Sequence, residues 1–187
     1  GINTGGTTIL TSTGAISDAG ATSVNVGALT VNGTSIALGG GIFNATSVNF
    51  NSAGSVTIAE DSDTDIVGIN TADSASITST GALSDAGATS VTVTGLGSFG
   101  GASIFLGGGT FNTGTLTFNS AGNVTIAEDS NTDIVGVYTA GSALITSTGA
   151  LSDAGATSVA VTGLGSFGGT SISLGGGTFN VGTLTFN

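Results

Sequence analysis

The chain has 187 residues and a formal charge of −11, and it contains no Lys, Arg, His, Cys, Met, Trp or Pro. Enzymes draw their usual proton carriers, nucleophiles and oxyanion-stabilising cations from that missing set, so paired-carboxylate hydrolysis is the one familiar catalytic chemistry left. Nucleic-acid binding and adhesion to an anionic membrane surface both rest on Lys and Arg and are disfavoured, and disulfide or thiolate-metal chemistry is excluded.

The predicted elements are short β-strands. From the N-terminus, TSTGAISDAGATSV at Thr11–Val24 leads into GALTVNGTSIALGGG, and FNSAGSVTIAEDSDTDIVG follows from Phe50. Later come SVTVTG at Ser90, ASIFLGGG at Ala102, TLTFNSAG at Thr115, NVTIAED at Asn123 and SALITSTG at Ser142. Each is an alternating run of Val, Ile, Leu, Phe and Thr closed by Gly, Asn, Asp or Ser, which is strand-and-turn chemistry with no helical period. No apolar stretch approaches the roughly 20 residues that span a bilayer, so no membrane insertion is expected in this segment.

Self-comparison sets the architecture. The first string returns as TSTGALSDAGATSV at Thr78 and Thr146, and the second as FNSAGNVTIAEDSNTDIVG at Phe118. Asp18, Asp85 and Asp153 mark a period of 67 and then 68 residues. The repeats divide as 1–67, 68–135 and an incomplete 136–187. Gly1 aligns with Gly68 and Gly136, and Asn187 with Asn119, so the chain reads as one continuous segment of a longer array.

A sandwich module or propeller blade fits that spacing poorly. A parallel β-helix, or β-solenoid, fits. With rungs of roughly 20 residues, one period supplies about three rungs and about 14 Å of fibre. Phe-Asn pairs at 43–44, 50–51, 111–112, 118–119, 179–180 and 186–187 suggest stacked Phe and Asn ladders, with Asn as an ordinary turn former the alternative.

The strings TSTGALSDAGA and TLTFNSAGNVTI resemble the repeat stalks of filamentous-haemagglutinin-like and other large bacterial surface adhesins. The resemblance implies a right-handed parallel β-helix, export, and a role in surface attachment, biofilm or fibre formation. The chain departs from those adhesins in having no basic residue.

One cluster carries candidate chemistry. AEDSDTDIVG holds Glu60, Asp61, Asp63 and Asp65, and AEDSNTDIVG holds Glu128, Asp129, Asn131 and Asp133. Oxygen ligands at alternate positions suit Ca²⁺. The strict EF-hand pattern fails, because Ile66 and Ile134 stand where Gly is required and Ala72 or Ala140 occupies the twelfth position. A looser calcium site and a solvated acidic turn both remain open. Asp18, Asp85 and Asp153 sit in S-D-A-G strings, which suit tight structural turns. Two weaker readings are ice matching by T-x-T pairs such as Thr115/Thr117, and N-glycosylation at the sequons of Asn32, Asn44 and Asn123.

The sequence therefore points to a non-enzymatic, extracellular or cell-surface structural fibre or stalk that forms filaments or adheres. Its expected partners are other copies of itself, by end-to-end or lateral assembly, and surface glycans or other cells. A binding module for calcium, glycan or ice and a carboxylate glycosidase are the alternatives.

Overall fold

The computed structural model describes the whole chain except residues 19, 21, 86, 88 and 154–156. It is an all-β parallel solenoid of about 9 turns with about 20 residues per turn. The first turn holds β1 (Ile2–Thr11) and β2 (Ile16–Ser17), the second β3 (Ser23–Gly33) and β4 (Ile36–Leu38), and the third β5 (Ile42–Ser52) and β6 (Ser55–Glu60). Next come β7 (Thr64–Ile66), β8 (Ile69–Ala72) and β9 (Ser74–Ser79), then β10 (Ala82–Asp85) with β11 (Ser90–Gly101), then β12 (Ser103–Leu106) with β13 (Thr110–Ser120). β14 (Asn123–Glu128), β15 (Thr132–Ile134) and β16 (Val137–Ala140) precede β17 (Ser142–Ser147) and β18 (Ala150–Asp153). β19 (Ser158–Gly168), β20 (Ser171–Ser173) and β21 (Thr178–Phe186) complete the described strands.

The long strands each serve two sides of the coil. In β11 the register against β13 shifts between Val93 and Leu96, and two separate strands, β8 and β9, pair with the two arms so defined. Matching irregularities divide β1 and β19. Such local breaks turn the chain at a corner without ending its pairing.

Counted by arms, the second repeat contains ten extended segments: β8, β9, β10, two from β11, β12, two from β13, β14 and β15. Three segments make a turn. One repeat therefore advances the coil by three turns and a third, about 16 Å at the inter-strand spacing, slightly more than the three turns expected from rung length alone. Each repeat is displaced around the axis by one side of the coil. Thus β8, which opens the second repeat, continues the column of the second arm of β5 through the pair Asn51–Thr71. In the same way β16, which opens the third, continues the second arm of β13 through Asn119–Thr139.

Equivalent residues of successive repeats consequently do not stack on one another. Phe50 lies between Val31 and the Asn70 side chain, whereas its counterpart Phe118 lies beside Phe99 and packs its ring 4.7 Å from Tyr138. The expected ladders are mixed because neighbouring rungs carry different parts of the same repeat, and because Val31 and Asn70 are replaced one repeat later by Phe99 and Tyr138. The Asn32 and Asn51 amides meet at 3.3 Å and Thr71 continues that line, while Thr139 donates to Asn119 at 3.2 Å. Outward Thr rows are interrupted likewise, since Thr117 stands over Ser98 and Ser98 over Ser76.

Strand alternation directs Val, Ile, Leu and Phe inward, as in β6, where Val56 and Ile58 are buried between exposed Ser55, Thr57 and Ala59. The core runs the length of the coil, with Phe43, Phe50, Phe99, Phe111, Phe118 and Phe167 among its largest buried side chains. A buried aliphatic or aromatic side chain contributes about 1.5–3 kcal/mol. The Leu-Gly-Gly-Gly corners let successive turns touch: Gly107 has φ +101°, and a Cβ there would fall 2.3 Å from the Ala127 carbonyl oxygen.

Candidate functional site

The two acidic strings form corners between sides of the coil, the first joining β6 to β7 and the second joining β14 to β15. They lie one repeat apart along the axis and a third of a turn apart around it, so the eight residues make two separate sites.

Each corner repairs a gap in the ladder. The first arm of β5 pairs with β3 on one side, but the next turn reaches only the second arm of β5, at Ser47, Val48 and Asn51. Phe43 and Ala45 would therefore present buried N–H groups to no carbonyl, a costly arrangement. Asp61 Oδ2 accepts from Phe43 N at 2.9 Å, and the Asp61 N–H returns a bond to Phe43 O. Glu60 Oε1 accepts from Ala45 N, while its Oε2 accepts from Ser62 N at 2.7 Å and Ser62 Oγ at 2.9 Å.

The second corner repeats the arrangement. Asp129 Oδ2 accepts from Phe111 N at 3.0 Å, and Glu128 Oε1 accepts from Thr113 N. Glu128 Oε2 takes Ser130 N, Ser130 Oγ and Thr132 Oγ1. Both glutamates are buried, at 2 % and 1 % exposure, whereas Asp61 and Asp129 are exposed.

The remaining members of each string reach forward by a turn. Asp63 Oδ1 accepts from Ala82 N at 2.8 Å, and Asn131 Oδ1 accepts from Ala150 N at 2.9 Å. The exchange of acid for amide between repeats leaves this bond intact because only a carbonyl-type oxygen is needed. Asp65 and Asp133 each accept from a serine hydroxyl, of Ser84 and Ser152, at 2.9 Å. The carboxylates thus face different partners, and among the described residues no group of three or more acidic side chains is placed to hold a metal ion.

A second set of acids acts across the coil. Asp85 accepts from Gly107 N and Gly108 N, both at 2.9 Å, and Asp18 does the same with Gly39 and Gly40, as does Asp153 with Gly175 and Gly176. Two consecutive backbone N–H groups beside a positive-φ glycine make an anion-binding nest. These aspartates hold the next turn. The local S-D-A-G turns expected at these positions include residues 19, 86, 154 and 155, which lie outside the described residues.

Two buried polar residues carry no obvious mark in the sequence. Asn70 is fully buried; its Oδ1 accepts from Phe50 N, and its Nδ2 donates to the carbonyls of Val67, Gly68 and Ser90. Tyr138 occupies the equivalent place one repeat later, also fully buried, and its hydroxyl has no hydrogen-bond partner among the described residues. Burial, reinforced by the negative charges of Asp153 and Asp133, raises its pKa far above the ordinary phenol range. Of the sequon residues, Asn123 is exposed and accepts from Ser142 Oγ at 2.8 Å, whereas Asn32 and Asn44 are half-buried.

No family model matches the chain, and no curated protein or solved structure matches it either.

Proposed function

We propose that this chain is a mechanical element: a segment of an extracellular fibre or stalk at a microbial cell surface, with adhesion or filament formation as its biological output and no catalytic role. The observation that carries this reading is the use made of the acids. Asp18, Glu60, Asp61, Asp63, Asp85, Glu128, Asp129 and Asp153 all accept from backbone N–H groups. Side chains that could serve chemistry instead close gaps in the ladder or tie one turn to the next.

Load along the axis would be borne by the parallel ladder and the buried stack together, and repetition extends both without a new design. The lack of Lys and Arg removes every trypsin-type cleavage site, which suits exposure outside a cell. Electron microscopy of an array of several repeats tests the reading. Unbranched rods lengthening by about 16 Å per 68-residue repeat are expected, and compact particles or disordered chains would refute it.

A further inference from the structure

The side of the coil built from β10, β12, β14, β17 and the second arm of β19 differs from its relatives. Its central outward line runs Ser84, Phe105, Thr125, Leu144, Ser166, each the register partner of the next. Phe105 is 53 % exposed and Leu144 39 %, and Leu164 beside them is 48 % exposed. At positions equivalent to Phe105 the sister repeats carry Ala37 and Ser173, and at those equivalent to Leu144 they carry Ser76 and Ile9. The two bulky apolar residues come from different repeats and different points of the repeat. The third-of-a-turn offset brings them onto one line.

Three features of this side fit a second copy of the chain. Phe105 and Leu144 are each one turn from Thr125, on opposite sides of it, so a two-fold axis through Thr125 sets Phe105 of each copy against Leu144 of the other. That is the self-complementarity an isologous contact requires. None of the five line positions is acidic, which limits repulsion between two chains of charge −11; Asp65, the register partner of Ser84, borders the line at one end, and Asp129 stands at the corner beyond β14. A shallow groove of about 330 Å³, lined by Asn123, Thr125, Ser142, Leu144, Leu164 and Ser166, lies where the partner's Phe105 ring would arrive.

We propose that this side is a lateral self-association surface, pairing two solenoids face to face and antiparallel. The proposal rests on the fibre reading and specifies how fibres would bundle. A patch of five rungs is smaller than the roughly 800 Å² per partner of a stable complex, so the pairing is weak for one segment.

Sedimentation equilibrium of the 187-residue chain across micromolar to millimolar concentration tests it. Reversible dimerisation is expected, weakened at least about tenfold by Phe105→Ala or Leu144→Ser. Both variants install residues that the sister repeats already carry, so folding is retained, and circular dichroism checks this. Orientation is read from a spin label on Ser84→Cys: antiparallel pairing holds the two labels about four rungs, or roughly 20 Å, apart along the axis, whereas parallel pairing brings them together. A chain that stays monomeric, a double variant that dimerises unchanged through the ends of the coil, or labels in the parallel arrangement would each overturn the proposal. All three outcomes leave the rod morphology of the longer array, and with it the fibre reading, to be judged separately.

Discussion

Asp85 Oδ1 accepts the N–H of Gly108 at 2.9 Å, 23 residues further along the chain, and its Oδ2 takes the preceding N–H of Gly107 at the same distance. A single carboxylate thereby fixes the corner of the following turn. Removing it in Asp85→Ala strands two backbone donors, and charge-assisted bonds of this kind are worth about 1.5–3 kcal/mol each. The expected loss is about 3 kcal/mol in urea unfolding. Asp85→Asn keeps one acceptor oxygen and is expected to lose about half as much.

The glycine side of the same clamp is equally constrained. Gly107 has φ +101°, and a methyl group there would meet the Ala127 carbonyl oxygen and Cβ at 2.3 and 2.7 Å. Gly107→Ala should therefore destabilise by about 3 kcal/mol from backbone strain, with steric displacement of the next turn added. A thermal transition unchanged by this substitution would show that the corner is not held as described.

At the acidic corners, repetition supplies an internal control. Asn131 performs with an amide the bond that Asp63 makes with a carboxylate, so Asp63→Asn is expected to change stability by less than about 0.5 kcal/mol. Glu128→Ala removes the acceptor for Thr113 N, Ser130 N and the hydroxyls of Thr113, Ser130 and Thr132 from a buried position, and should cost about 3–5 kcal/mol. Because each carboxylate already faces its own donors, melting is expected to be the same with chelator and with millimolar Ca²⁺. A calcium-dependent rise would establish cation binding at these corners, since a ligand that binds only the folded state must raise its stability.

Much of this was legible in the sequence, and the limits have physical causes. The period and the alternation of β-branched residues give the parallel solenoid, because a stack of rungs is what such runs can build without helices. The burial of Glu60 was readable too: in S-V-T-I-A-E it shares the parity of Val56 and Ile58, and Asp85 shares that of Leu83. Acid composition masked that parity and suggested solvent. The partners of these acids were not readable, because they lie a turn away and depend on where the coil places each segment. Ten segments per repeat against three per turn is a property of the wound chain, invisible in local spacing. The turn of about 20 residues decides which side chains stack, setting different parts of one repeat on neighbouring rungs, hence the mixed ladders in place of Phe and Asn columns.

Tyr138 is the one tyrosine of the chain, and with no Trp present it is a clean spectroscopic reporter. Its phenol is buried and its pKa is raised, first by desolvation and then by the charges of Asp153 and Asp133. Above the unfolded value of about 10, the unfolded chain releases this proton while the folded chain retains it, so the unfolded state binds fewer protons and stability falls with rising pH. The contribution is complete below pH of about 10 and should decline by about 1.4 kcal/mol per pH unit above it. Tyr138→Phe keeps the ring against Phe118 and discards a hydroxyl that has no partner among the described residues, so it should leave neutral-pH stability unchanged or slightly raised and abolish the alkaline decline. Urea midpoints of both proteins between neutral pH and pH 11 provide the measurement. Parallel declines in the two would place the alkaline sensitivity elsewhere and show that this phenol is accessible to solvent in the folded chain.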